Sequence, residues 1–175
     1  MKSRLKVAVV HYHLKPGGVT RVVENCVAAF QEAAIAADFG MLVGPPGEHA
    51  FLEKVCEIPE LGYADANPEL APKDLLKKLE FEAQELFGGA PDIWHIHNHS
   101  LGKNTSLAGA VALLAEKGEK ILLQLHDFAE EGRPGNYQRL SKRPDLLSRL
   151  YPQAPHIAYA VLNRRDSRNL QSAGL

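Results

Sequence analysis

Features that would narrow the function of this chain quickly are scarce or missing. Only two cysteines occur among its 175 residues, Cys26 and Cys56. Their spacing suits no metal site, which removes a disulfide framework and a cysteine-zinc cluster from consideration. Both read as reduced thiols in or near a core. Neither sign of charge dominates, since 20 Lys and Arg stand against 21 Asp and Glu for a net charge of −1. Bulk electrostatics therefore supplies nothing to attract nucleic acid or an anionic membrane, and leaves only a local basic patch open. Long apolar runs are absent too. The basic start Met1-Lys2-Ser3-Arg4 leads into about six apolar residues, too few for a signal-peptide core or a membrane span. A cytoplasmic soluble protein is the expectation, and this chain gives no indication of membrane association. The G-x-G-x-x-G dinucleotide fingerprint, the Walker phosphate loop and the G-x-S-x-G nucleophile elbow are all missing.

What is present is ordinary globular composition, 45% hydrophobic and 23% charged, enough for one sizeable α/β domain spanning residues 1–175. Residues 5–10 are continuously apolar and β-branched, as in a strand buried on both faces. Pro16-Gly17-Gly18 breaks that run, and a helix is predicted from Val19. Its apolar stripe is Val19, Val22, Val23, Cys26, Val27 and Phe30. A second strand over 38–43 ends at the turn Gly44-Pro45-Pro46-Gly47, and a short third strand fits 54–58. A helix over 72–87, with Leu75, Leu76, Leu79, Ala83, Leu86 and Phe87 inward, stops at Gly88-Gly89. Strand 92–97, helix 105–117, strand 120–126 and strand 157–162 follow, then a polar helix from Asn163. Trp94, inside an apolar strand, belongs in the core. Residues 127–142 show no clear periodicity and read as a long loop of functional type. The alternation predicts a Rossmann-like, doubly wound parallel sheet with helices on both faces. The chain ends just beyond Gly174, a C-cap glycine, which fits either a cut at a domain boundary or a natural terminus.

In such sheets ligands sit beyond the carboxyl ends of the strands. His11, Tyr12, His13, Pro16, Gly17 and Gly18 follow the first strand there. His97, Asn98, His99 and Ser100 follow the fourth, and His126, Asp127 and Phe128 the fifth. Imidazoles gathered at one rim fit a ligand cleft. Gly17 and Gly18 let the backbone and helix amides approach a phosphate or sugar oxygen. Asp127 either caps the next turn or belongs to the site. Residues 130–137 either fold over the cleft, with Arg133 suited to a phosphate or carboxylate, or form a solvated loop. His95-x-His97-x-His99 invites a metal reading. A strand ending near His97 would lose the alignment at His99, and no Cys, Asp or Glu completes the set. The arrangement expected instead is a buried, hydrogen-bonded His95 with His97 and His99 facing the rim, and no metal.

Three blocks carry a resemblance: Val9-Val10-His11-Tyr12-His13-Leu14-Lys15-Pro16-Gly17-Gly18-Val19-Thr20-Arg21-Val22, then Pro91-Asp92-Ile93-Trp94-His95-Ile96-His97, then Leu125-His126-Asp127. With the late strand Ala158-Tyr159-Ala160-Val161 they span nearly the whole chain. In them the sequence resembles the N-terminal domain of glycosyltransferase family 4, the retaining group-1 enzymes of GT-B fold. The resemblance implies two Rossmann-like domains facing a cleft. The second, absent from this chain, would bind most of a nucleotide-sugar donor through paired glutamates and basic groups. Gly17 and Gly18 would lie near the donor diphosphate or reacting sugar. His126, with Asp127 beside it, would sit at the sugar being transferred. His11, His13, His97, Asn98 and Arg133 are the candidate contacts for a sugar or other small-molecule acceptor. No cofactor or metal is implied, and the chain alone is expected to be inactive. The alternatives are a sugar-nucleotide epimerase domain, a stand-alone flavodoxin-like module binding a small anion, and a histidine-based metalloenzyme.

Overall fold

The computed structural model describes residues 4–45, 51–66 and 69–175. Met1 to Ser3, and Pro46 and Gly47 of the turn expected after the second strand, lie outside them. The order is β1 (Leu5–His11), α1 (Gly18–Glu32), β2 (Ala37–Val43), β3 (Val55–Glu57), α2 (Pro72–Phe87), β4 (Ile93–His97) and α3 (Thr105–Glu116). Then come β5 (Ile121–Leu125), α4 (Pro134–Ser141), α5 (Pro144–Leu147), β6 (Ile157–Val161) and α6 (Arg164–Ser172). All the strand pairings are parallel. The sheet order is β3-β2-β1-β4-β5-β6, so the winding direction reverses at β1 and opens a switch point between β1 and β4. This is the Rossmann-like sheet that the alternating pattern predicted.

Alternation along the strands sorts the core into two layers. Ala8, Val10, Trp94, Ile96, Ile121 and Leu123 pack against α2 and α3 through Leu75, Leu79, Leu107, Val111 and Leu114. Val7, Val9, Met41 and Val43 pack on the opposite side against Val23 and Val27 of α1. β1 is therefore covered on both faces, which accounts for its continuous apolar run. α2 starts with Pro72 at its first position and stops where Gly88 takes the left-handed conformation, φ 62, at the expected boundaries. In α6, the Asn163 side chain accepts from the Asp166 amide. Gly174 N–H bonds the Gln171 carbonyl and Leu175 N–H the Leu170 carbonyl, a Schellman-type ending. Both cysteines are free and half-buried. Burial and then a 3.2 Å bond to Glu82 push the Cys56 thiol up to about 11.

One expectation is corrected. The stretch 127–142 is not a continuous loop, because residues Pro134–Ser141 form α4, and the unforeseen α5 follows. Each short helix has a proline in its first turn, and each buries a single side chain, Leu140 or Leu146. One buried residue per helix leaves no three-four stripe to detect. Leu140 and Leu146 join Ala129 and Leu150 in a small satellite cluster against Ala108 of α3. No helix among the described residues is long and apolar enough to cross a membrane.

Candidate active site

At the switch point the loops after β1, β4 and β5 meet in a cleft of about 180 Å³. Seven of the nine positions singled out in the sequence line it: His11, His13, Gly17, Gly18, Asn98, Asp127 and Arg133. Tyr63, Lys15 and Lys103 also stand in its wall. A larger concavity of about 520 Å³ lies at the other end of the sheet, between the last turn of α1 and the start of β2. It holds an ordinary Lys54–Asp38 ion pair and a Phe30–Phe39 ring contact, and it carries none of the predicted positions. Volume alone would favour it; the switch-point rule and the gathered polar groups favour the smaller cleft.

Two struts, one buried and one partly buried, hold the rim together. The Tyr12 hydroxyl donates to the Asn98 carbonyl at 2.7 Å. Asn98 Oδ1 accepts from the His126 amide at 2.7 Å and the Asp127 amide at 3.4 Å. Asn98 adopts φ 56, ψ 29, a left-handed conformation that asparagine tolerates better than most residues. That kink ends β4, and its side chain ties β4 to the end of β5. Asn98 thus has a clear structural task besides lining the cleft.

His13 is locked from both sides. Its Nδ1 accepts from the Lys15 amide, so Nε2 carries the proton and donates to the Tyr63 hydroxyl at 3.1 Å. The Lys103 ammonium lies 4.5 Å from the Tyr63 ring centre, a cation–π contact. Burial, helped by Lys15 and Lys103, holds His13 below the ordinary imidazole range. His11 lies deeper, and burial followed by the nearby His13 pushes it down to about 3. Arg133 pairs with Asp127 at 2.9 Å, both side chains partly exposed. Of residues 130–137, Arg133 alone reaches the cleft. Glu130 instead accepts from the Tyr151 hydroxyl, and Glu131 pairs with Arg165.

His97 and His99 do not face the rim, contrary to expectation. Both are fully buried. His97 follows the strand alternation inward beside His95 and bonds His126 Nε2 through Nδ1 at 2.9 Å. His99, turned by the Asn98 kink, donates from Nε2 to the Leu150 carbonyl at 2.8 Å. His95 is buried and bonded to Gln124 at 2.8 Å, as expected. His126 is half-buried beside the cleft, its ring tilted 38° to that of His97. Among the described residues no group of three or more His, Cys, Asp or Glu is placed to hold a metal ion.

Gly17 and Gly18 behave unlike a structurally required glycine such as Gly44. A Cβ on Gly44 would collide with the Tyr12 carbonyl and the Gly62 backbone. A Cβ on Gly18 would meet nothing within 4 Å, and on Gly17 only an ordinary contact. Gly17 is extended, φ 172 and ψ 178, and gives α1 no side-chain cap. Neither packing nor backbone conformation requires this pair.

No protein-family model matches the chain. Over 175 aligned residues, 95% of the chain, it is 31% identical to the mannosylglucosyl-3-phosphoglycerate synthase of Petrotoga mobilis (strain DSM 10674 / SJ95). It is a distant relative of that synthase. The alignment spans about a third of the synthase, 34% of its length.

Sequence reasoning missed Tyr63, Lys15 and Lys103. Lys15 stands in the first motif and was open to notice. Tyr63 and Lys103 lie in irregular segments, and only the packing of the β3–α2 connection against the turn after β4 brings them to the cleft. That packing is visible in the Asn104 amide, which donates to the Glu60 and Gly62 carbonyls.

Proposed function

We propose that the chain is the acceptor-side half of a two-domain glycosyltransferase of GT-B type. It would move a sugar from a nucleotide-sugar donor to an acceptor with retained anomeric configuration. The observation that carries this reading is the glycine pair at the switch-point cleft, free of any packing or conformational need, at the amino end of α1. Where glycine is not needed by the fold, absence of a side chain serves close approach by a ligand. The likeness to a synthase named for a sugar-bearing phosphoglycerate supports the same class.

In this mechanism the donor diphosphate approaches the first amides of α1, where the helix dipole favours negative charge. Most of its charge is met by a facing domain. The acceptor occupies the cleft, and Lys15, Lys103 and Arg133 suit one bearing phosphate or carboxylate. Asp127 neutralises part of Arg133 and leaves the two lysines as the cationic wall. His126 offers a hydrogen bond to the transferred sugar. Stabilisation of the departing nucleotide is electrostatic and needs no metal or cofactor from this chain.

The test is sugar transfer from a panel of nucleotide sugars, by this chain and by a two-domain protein carrying it. We expect turnover only from the latter. There His126→Ala should lower kcat by about 100-fold, with donor affinity little changed. Turnover by the isolated chain, or an unaffected variant, would refute the proposal. A second reading, a stand-alone module binding a small anion, draws on the same cationic side chains. Calorimetric affinity of this chain for sugar phosphates, with no transfer by the two-domain protein, would favour it.

A further inference from the structure

The paired rings of His97 and His126 contain a choice of proton position, and the burial around them decides it. His97 Nδ1 and His126 Nε2 lie 2.9 Å apart. A neutral imidazole carries one N–H, so one ring donates and the other accepts. If His126 donates from Nε2, the proton of His97 must sit on its own Nε2. That nitrogen is buried and has no hydrogen-bond partner. If His97 donates from Nδ1, its Nε2 is left as a bare lone pair. A buried N–H without an acceptor is the more costly and rarer defect.

His99 shows the same preference in the same fold. Its Nε2 faces a carbonyl, so it must donate, and the buried nitrogen left without a partner is the lone pair of Nδ1. We infer that His97 is a positioning residue, donating from Nδ1 and thereby holding His126 in the tautomer protonated at Nδ1. Burial holds both rings below the ordinary imidazole range, His97 strongly so, which keeps the pair neutral near pH 7.

The consequence is chemical. With Nε2 engaged as an acceptor, His126 offers Nδ1–H outside the pair. It is therefore a hydrogen-bond donor toward an oxygen, such as a sugar hydroxyl, and not a general base. Proton uptake at Nε2 would require breaking the bond from His97. Asp127 opposes His95 in setting the charge around this ring, and an N–H directed outward is compatible with that nearby carboxylate. The role toward a sugar rests on the glycosyltransferase reading above; the tautomer does not.

Long-range ¹H–¹⁵N correlation spectra of this chain, labelled at histidine and recorded near pH 7.5, read the tautomer directly. The His126 signals are assigned by their loss in His126→Gln. We expect a protonated Nδ1 and an unprotonated Nε2 for His126 in the parent chain. In His97→Ala, His126 should move toward the Nε2–H form that free imidazole prefers. In His97→Asn, whose side-chain amide offers an N–H near the position of Nδ1, it should stay protonated at Nδ1. Protonation at Nε2 in the parent chain would overturn the inference, and so would an Nδ1–H signature that persists in His97→Ala. The parent spectrum, once assigned, reads the tautomer before either His97 substitution is made, so that outcome does not depend on His97→Ala or His97→Asn folding. Absence of sugar transfer beside an Nδ1–H spectrum would remove the enzymatic reading and leave the tautomer standing.

Discussion

Strand β4 presents two unlike faces. Trp94 and Ile96 point into the layer of α2 and α3 and are surrounded by leucine, valine and alanine. His95 and His97 point the other way and are as deeply buried, yet each imidazole answers to one polar partner, Gln124 or His126. Burial on the first face releases water from apolar surface and stabilises the fold. Burial on the second removes hydration from rings that recover only part of it in hydrogen bonds, and leaves His97 Nε2 unpartnered. The contrast teaches that one strand supplies both scaffold and site. Burial on its apolar face offsets the desolvation cost of its polar face.

The largest effect expected from disturbing this contrast is on the apolar face. Trp94→Ala should lose about 3–5 kcal/mol of stability through lost burial and a residual cavity. Urea unfolding measures it, and a loss below about 1 kcal/mol would mean the layer is not packed as described.

Acid probes the polar face together with the buried imidazoles beside it on β1 and after β4. His11 is held down at about 3 and His99 at about 4, against an ordinary 6.5, and His97 is also held low. The unfolded chain takes up protons that the folded chain refuses. Stability is therefore complete above about pH 6.5 and falls as pH drops toward 4, by on the order of 3 kcal/mol or more. His99→Gln, which keeps a donor for the Leu150 carbonyl but cannot titrate, should make that fall shallower. A flat profile from pH 6.5 to 4 would show that these rings are not buried neutral.

The smallest effect on the fold is expected at the glycine turn. Gly18→Ala meets open space and should change stability by no more than about 0.5 kcal/mol. In the two-domain protein it should nonetheless weaken nucleotide-sugar binding. Unchanged donor affinity would remove the proposed approach of ligand to this turn, and a large stability loss would assign the glycine to the fold instead.

The sequence was most legible where one period governs a long segment. The buried stripe of α2, with its glycine stop, and the continuous apolar run of β1 predict their elements almost to the residue. α4 and α5 escaped because each buries one side chain. The site was legible as a set of loop residues, through the rule that ligands gather at the carboxyl ends of parallel strands. Depth was not legible. His97 and His99 read as rim residues because they stand at the end of an apolar strand, but the alternation of β4 turns His97 inward beside His95, and the Asn98 kink turns His99 beneath the surface toward Leu150. Tyr63 and Lys103 were invisible because no local pattern links residue 63 to residue 13.

By itself, the sequence determined the layers: which of the long periodic segments are strand or helix, which faces are apolar, and that glycine and histidine crowd the strand ends. Those are consequences of period and side-chain chemistry acting over a few residues. The tertiary structure alone decided which histidines meet the cleft, which become buried partners of one another, and which cations surround them. Hydrogen-bond partners and burial arise between elements distant in the chain, and the proton position on a ring such as His126 depends on both.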